Sequence, residues 1–390
     1  ATMQSVTFML TILAFIIYLI FHRLINELTE LPSFIMVAIF AELLVTPAID
    51  FWSLRKRYEY QYKPVVFRTI LFTIINAGVG VIAVLLSEEK GYARIMTCVA
   101  VNIAFGLSLF VYNYIKAGRL FKFEYAKFAI GFNLPLLLHY ISQYILDQFD
   151  RVMIQKMVNT ASAGIYSVAY NTGMLLKIIT QSINNALVPW QYEKLEKKEF
   201  KELDDVLFLV YLLVGACSVI FSAFAPELMR ILADDKYYEA VYAIPPVTLG
   251  LFFMYMYTTI ANVEFFYDRN KFTMYISMSG ALLNVVLNYI GIKMFGYLAA
   301  AYTTMICYIL YAMGHYIYMT ISVKKLLGID RVFNTKRIVA LSIIVLFCGI
   351  VIMALYDFAI IRYILIAGVM GVGFYKRKMI HDLITKVKKK

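Results

Sequence analysis

The sequence predicts an all-α integral membrane protein with about twelve membrane-spanning helices. Two observations lead to this prediction. Of the 390 residues, 62% are hydrophobic and 16% are charged, whereas soluble domains average about 45–50% apolar residues. The apolar residues also fall into runs of the length, roughly 20 residues, that an α-helix needs to cross the hydrocarbon core of a bilayer.

Twelve apolar runs follow one another along the chain, and the last of them is short. They cover residues 5–21, 33–51, 65–86, 92–115, 128–146, 161–188, 206–225, 240–262, 272–292, 296–322, 338–355 and 359–374. The segments that connect these runs are short. They leave no room for a soluble catalytic domain on either side of the membrane.

Basic residues are distributed unevenly between the connecting segments. Of the 37 lysines and arginines, 26 lie in every second segment or in the tail, and nine lie in the opposite segments. Loops on the cytoplasmic side carry such an excess, so both termini are predicted to face the cytoplasm. The net charge of +12 is spread between apolar runs and the tail, so we predict no nucleic-acid partner.

The run 161–188 carries a charge near its middle, Lys177, within a stripe of polar side chains. Asn171, Gln181 and Asn184 lie at helical spacing from this lysine and share roughly one face with it. An amide stripe can join two helices by hydrogen bonds. A lysine costs roughly 2.5–3.5 kcal/mol at the centre of a membrane helix, and such residues usually mark a pathway. The lysine therefore favours a hydrated path for an anionic substrate.

A second polar face is predicted on run 128–146, where His139, Gln143 and Asp147 follow one another at intervals of four residues. His139 could titrate or bind a phosphate. It could equally be a neutral histidine that is hydrogen-bonded to a neighbouring backbone. Both interpretations remain open on the sequence alone.

Other polar residues inside the runs are weaker candidates. Glu42, in run 33–51, could pair with a basic residue or carry a proton in a coupled cycle, and we expect His315 to be a packing contact. The four cysteines all fall inside apolar runs and show no metal-ligand spacing. The chain has no Gly-rich phosphate loop and no nucleophile with a nearby base. We therefore predict a protein that is not an enzyme and that uses no cofactor or metal.

Several short motifs, in this order and spacing, resemble the polysaccharide transporter family. They are Asn133–Pro135, Asp150-Arg151, the run Gly164–Tyr170, Pro189 at the end of its helix, and the basic segment Leu54–Lys63 before an apolar run. This family contains the Wzx-type flippases for O-antigen and capsule repeat units. It belongs to the superfamily of multidrug and oligosaccharidyl-lipid exporters.

The resemblance implies two helical bundles around a central cavity and transport by alternating access. It implies movement of an undecaprenyl-diphosphate-linked oligosaccharide across a bacterial inner membrane, from the cytoplasmic to the outer leaflet. The implied partners are this lipid-linked oligosaccharide, membrane lipids, a glycan polymerase and a chain-length regulator. It places Lys177 on a helix that lines the cavity, which agrees with the polar stripe described above.

One departure from the family pattern concerns the order of the helices. The Asp-Arg and Gly-x-Tyr elements follow the seventh helix in the family but the fifth run here. We therefore expect a fourteen-helix protein without its first two helices. Residues 1–116 would form the remaining four helices of the first lobe, 117–323 the six-helix second lobe, and 324–390 two further helices with a basic tail. The rival expectation is a complete twelve-helix protein.

Three other functions remain as alternatives. A lipid II-type flippase would have the same fold and a cavity richer in arginine. A multidrug exporter of the same superfamily would prefer carboxylates in its cavity, which the central lysine disfavours. An integral-membrane glycan polymerase or acyltransferase should carry a large external loop or a cluster of His, Asp and Arg at the interface, and the sequence shows neither.

Overall fold

The computed structural model confirms an all-α membrane protein. It describes residues 1–29, 31–267 and 270–375, and these residues contain no β-strand. The basic tail from residue 376 and the loop residues 268–269, which include Arg269, lie outside this description. The helices are α1 (Thr2–Thr29), α2 (Ser33–Tyr58), α3 (Tyr62–Leu86), α4 (Lys90–Ala117), α5 (Phe123–Met157), α6 (Thr160–Glu196), α7 (Phe200–Ala223), α8 (Ala225–Leu232), α9 (Ile244–Phe266), α10 (Asn270–Phe295), α11 (Ala299–Leu327), α12 (Thr335–Ala354) and α13 (Ala359–Tyr375).

Twelve of these helices are long, and each overlaps one of the twelve predicted runs. Within the described part of the chain, nine helices are long and apolar enough to cross a membrane. Helices α5 and α6 do not meet that standard because of their polar faces, and α13 contributes a shorter apolar stretch, Ala359–Gly371. Helix α8 and a 3₁₀ segment, Asp235–Ala243, connect α7 to α9.

The chain divides into two compact units, Ala1–Asn133 and Leu134–Lys390, and the boundary falls inside α5. In the first unit, α2 packs against α1 and α4, and α3 packs against α4. The outer helices α1 and α3 bury only 6% of their apolar windows. Apolar surfaces of this extent suit contact with lipid tails.

Helix α9 is the centre of the second unit and packs against α6, α7 and α11. The most apolar window of the stretch Asp235–Phe266 is 89% buried inside the protein. Glycines on the neighbouring helices allow this close packing: a Cβ atom on Gly173 of α6 would lie 2.8 Å from Val247 Cγ1, and one on Gly349 of α12 would lie 2.4 Å from Leu249 Cδ1. Small residues are the usual means by which membrane helices approach one another.

A buried ion pair links α13 to α8. Arg362 donates from Nη2 to Glu227 Oε1 at 2.7 Å and from Nη1 to Glu227 Oε2 at 2.8 Å. Its Nη1 also donates to the carbonyl of Ala223 at 2.5 Å, and Tyr363 donates its hydroxyl to Glu227 at 2.7 Å. Because α12 packs against α7 and α9, the last two helices belong to the second compact unit in this structure.

Candidate functional site

The polar faces predicted on α5 and α6 come together in a helical hairpin. Only Val158 and Asn159 separate the two helices. Asn159 caps α6, because its side-chain oxygen accepts a hydrogen bond from the backbone N–H of Ser162 at 2.7 Å. This short, capped turn returns the chain alongside α5 and so brings residues near 147 opposite residues near 177.

Lys177 pairs with Asp147 across this hairpin. The lysine ammonium donates to Asp147 Oδ2, and the hydroxyl of Tyr308 on α11 donates to Asp147 Oδ1 at 2.8 Å. The Lys177 and Asp147 side chains are 19% and 18% exposed, so the pair is recessed but not fully buried. The charge inside the membrane segment therefore has a partner of opposite sign within the same unit.

A second set of hydrogen bonds lies beside this pair and reaches into the centre of the unit. Gln143, one turn before Asp147, accepts from the hydroxyl of Tyr257 and donates to the hydroxyl of Tyr311 at 2.9 Å. Tyr311 in turn donates to Ser277 at 2.5 Å, and Ser277 is also bonded to His139. The rings of Tyr257 and Tyr308 are parallel, with centroids 6.5 Å apart. Helices α5, α9, α10 and α11 thus share one network.

Two predicted candidates, His139 and Gln143, lie inside this network. His139 is buried at 5% exposure, and its Nδ1 is bonded to the hydroxyl of Ser277. Gln143 is half-buried, and both ends of its amide contact tyrosines. The side-chain partners show that both residues connect α5 to the helices behind it.

A second titratable pair lies deeper in the unit. His315 Nδ1 lies 3.0 and 3.1 Å from the two carboxylate oxygens of Glu264, and both side chains are fully buried. The rings of Tyr257 and Tyr311 pack against the His315 ring at centroid distances of 5.6 and 4.7 Å. His315 is therefore a packing contact that also carries an ionisable partner.

Asn171 lies at the exposed end of the polar face, next to an arginine. Arg151 Nη2 donates to Asn171 Oδ1 at 3.3 Å, and the guanidinium lies 4.3 Å from the centre of the Tyr170 ring. The neighbouring Asp150 is fully buried and accepts a 2.5 Å hydrogen bond from Tyr166. The Asp-Arg and Gly-x-Tyr motifs thus meet where α5 and α6 cross.

Asn184 and Gln181 differ in their surroundings. Asn184 accepts a hydrogen bond from Asn262 at 3.2 Å, which joins α6 to α9. Gln181 is exposed on the surface of α6. Asn171 and Gln181 are thus exposed, Lys177 is recessed between them, and Asn184 makes a contact between two helices.

Glu42 belongs to the first compact unit, Ala1–Asn133. It is half-buried and accepts a hydrogen bond from Asn102 Nδ2 at 2.9 Å. The amide of Asn102, and not a basic side chain, is therefore the neighbour that satisfies one of its oxygens.

The chemistry that this arrangement supports is recognition by charge and hydrogen bonding. Among the residues that the structure describes, no group of three or more His, Cys, Asp and Glu side chains could hold a metal ion. The polar face of α6 offers a recessed ammonium group, paired with Asp147, between two amides. Such groups bind phosphate and sugar hydroxyls without a covalent step.

The sequence did not reveal Tyr257 and Tyr308 as contacts of Gln143 and Asp147, or Glu264 as the partner of His315. A signal for the tyrosines exists, because Tyr308, Tyr311 and His315 recur at intervals of three and four and so share one face of α11. Abundant tyrosines near the ends of spans obscured that pattern. Glu264 lies just beyond a strongly apolar run and looked like part of a polar loop.

Two family models match the chain. The model "Polysaccharide biosynthesis protein" matches residues 2–194, and the model "MatE" matches residues 135–290. Among curated proteins, "Lsg locus putative protein 1" of Haemophilus influenzae is 26% identical over 204 residues, which cover 49% of this chain and 50% of that protein. An uncharacterized membrane protein of Methanocaldococcus jannaschii is 25% identical over 285 residues, which cover 68% of this chain and 55% of that protein. The chain spans about half the length of these relatives.

A solved structure shares the fold. It is titled "Lipid II flippase MurJ, inward closed conformation", and it matches with a TM-score of 0.66 over 97% of this chain and 84% of that chain. The two sequences are 18% identical over the match. At this level of identity the likeness concerns the arrangement of the helices alone.

Proposed function

Because this chain belongs to the polysaccharide transporter group within the multidrug and oligosaccharidyl-lipid exporter superfamily, we propose that it is a flippase for a polyprenyl-diphosphate-linked oligosaccharide. The proposed substrate is a repeat unit of O-antigen, capsule or exopolysaccharide. The proposed location is the inner membrane of a bacterium, with both termini of this chain on the cytoplasmic side, as the distribution of basic residues favours.

The observation that carries this proposal is the recessed ammonium group of Lys177 on a polar helix face. A diphosphate carries two or more negative charges and several acceptor oxygens, so it suits a lysine in a low-dielectric surrounding. Asn171 and Gln181 extend the face on either side of the lysine and are exposed. In the proposed mechanism they contact sugar hydroxyls, while His139, Gln143 and Asn184 hold α5 and α6 against the helices behind them.

Transport then requires that this face becomes accessible from each side of the membrane in turn. The described residues offer charge and hydrogen-bonding groups for this task, and no group of three or more His, Cys, Asp and Glu side chains among them could hold a metal ion. Glu42 is a candidate for a coupling proton in the first unit, since its carboxylate lies inside a membrane helix. A glycan polymerase and a chain-length regulator are the partners that would use the delivered product.

Deletion of the gene tests the function, and Lys177→Ala in the protein expressed from that gene tests the site. Deletion should abolish the surface glycan and cause lipid-linked oligosaccharide to accumulate in lipid extracts. Lys177→Ala should lower surface glycan at least about tenfold, because it removes a charge-assisted contact worth about 1.5–3 kcal/mol. Lys194→Ala is the matched control, since Lys194 lies on the same helix but pairs with Glu199 and Glu202 beyond the apolar run. Normal surface glycan in the deletion strain would refute the proposed function.

A lipid II flippase is the second candidate, because the fold match is to a structure with that title. The same deletion strain separates the two. Accumulation of lipid II with arrested cell-wall synthesis would favour this second candidate, whereas accumulation of a different lipid-linked glycan in a growing strain favours the first.

A further inference from the structure

The charges at the proposed site cancel. Lys177 contributes one positive charge and Asp147 one negative charge, and the two are joined directly. Both carboxylate oxygens of Asp147 accept hydrogen bonds, one from Lys177 and one from Tyr308. An approaching anion therefore meets a neutral pair and not a free lysine.

This neutrality matters in a membrane. An unpaired ammonium group on an exposed face would bind any anionic lipid that reached it, and monoanionic phospholipids are a bulk component of bacterial membranes. The substrate of a flippase is present at a far lower level. A site that attracts every phosphate indiscriminately would be filled by the wrong lipid.

We propose that Asp147 is a counter-ion that stays paired with Lys177 until a diphosphate displaces it, and that this pairing keeps monoanionic phospholipids out of the site. This inference rests on the proposed function. Asp147 lowers the affinity of the site for every anion by the cost of separating the pair. Only a ligand with several charges and many acceptor oxygens offsets that cost.

The surroundings of Asp147 suit such an exchange. Tyr308 keeps its hydrogen bond to Oδ1 when Lys177 leaves Oδ2, so the displaced carboxylate retains a donor. Tyr308 itself is buried and lies on α11, which is not part of the hairpin. The lysine has a flexible four-carbon stem and can turn toward a ligand without movement of α6. The partial exposure of both side chains gives the ligand access.

The experiment measures binding of a defined probe to the purified full-length protein in detergent. The probe is farnesyl diphosphate, and the competitor is dioleoyl phosphatidylglycerol. The variants are Asp147→Asn, Asp147→Glu and the double variant Asp147→Asn with Lys177→Gln. Asp205→Asn is the matched control, because Asp205 also pairs with a basic side chain, Arg337, but on an exposed surface.

We expect Asp147→Asn to bind farnesyl diphosphate at least about tenfold more tightly than the wild type, and phosphatidylglycerol to compete only in this variant. Asp147→Glu should bind as the wild type does, because it keeps the negative charge. The double variant should lose the tighter binding of farnesyl diphosphate. Asp205→Asn should bind as the wild type does. Equal or weaker binding by Asp147→Asn, or a gain that survives the loss of Lys177, would overturn the proposal.

Asp147→Ser provides a second neutral variant if Asp147→Asn fails to fold. Failure of both to fold would show that the ion pair is a structural requirement and would also overturn the proposal. The gene deletion described above reads the proposed function without changing Asp147. The deletion can therefore abolish the surface glycan as expected while Asp147→Asn shows no change in competition by phosphatidylglycerol. That result would leave the proposed function standing and overturn this inference alone.

Discussion

Replacing Arg362 by methionine tests how the last helix is held to the second unit. Arg362 is 2% exposed, whereas its partner Glu227 is 25% exposed. The guanidinium makes two hydrogen bonds to the carboxylate and one to the carbonyl of Ala223. Methionine keeps the apolar stem and much of the volume, so the substitution removes mainly the charge and these three bonds.

The expected cost can be estimated from the geometry. Loss of one partner from a buried ion pair destabilises a protein by roughly 3–5 kcal/mol, mainly because the other charge remains buried. Glu227 is partly exposed and keeps its 2.7 Å hydrogen bond from Tyr363, so some of the cost is relieved. We therefore expect Arg362→Met to lower the free energy of unfolding by about 3 kcal/mol.

The assay is equilibrium unfolding of the purified protein in detergent, combined with Glu227→Gln in a double-mutant cycle. The two changes should show a coupling energy of about 2 kcal/mol, because they remove the same pair. Arg337→Met is the control: its pair with Asp205 is half-exposed, and exposed pairs contribute less than about 1 kcal/mol. A loss no larger than that of the control, or additive effects of Arg362→Met and Glu227→Gln, would refute the reasoning.

Two further predictions concern packing and orientation. Gly173→Ala should destabilise the protein by about 1–3 kcal/mol in the same unfolding assay, because the added Cβ would lie 2.8 Å from Val247. Gly164→Ala on the same helix is the control, since its Cβ meets no atom within 4 Å. This control should be neutral or stabilising by up to about 1 kcal/mol. Equal effects of the two would contradict the close contact of α6 with α9. For orientation, a cysteine at Glu88 should react with a membrane-impermeant maleimide in intact cells, and one at Arg119 only after permeabilisation. The reverse pattern would show that the positive-inside argument assigned the wrong side.

The helices could be predicted from the sequence because the apolar runs are bounded by charged residues and all but the last are long. Runs such as 65–86 satisfy the length rule without any tertiary information. The bounds were less accurate where a helix extends beyond its apolar run: α5 covers Phe123–Met157, whereas the run covers 128–146. Polar residues at its two ends continue the helix although they do not contribute to the apolar signal.

The pairing of side chains at the site could not be predicted in the same way. Periodicity places Lys177 and Asp147 on polar faces of their helices, but it does not say how each helix is rotated against its neighbours. The contact between Tyr308 and Asp147 joins residues that are 161 positions apart. Such contacts depend on the packing of α11 against the hairpin, which one sequence does not encode in any local pattern.

The polarity of α5 and α6 has a consequence for biogenesis. A single segment with a lysine or aspartate near its centre partitions poorly from the translocon into lipid, because each such charge opposes insertion by roughly 2.5–3.5 kcal/mol. The residues that neutralise each other here are 30 positions apart, on opposite arms of the hairpin. Both arms of the hairpin must therefore be synthesised before either charge can be neutralised inside the bilayer. We expect the insertion machinery to retain α5 until α6 emerges, so that the two helices enter the lipid together as one co-translational step.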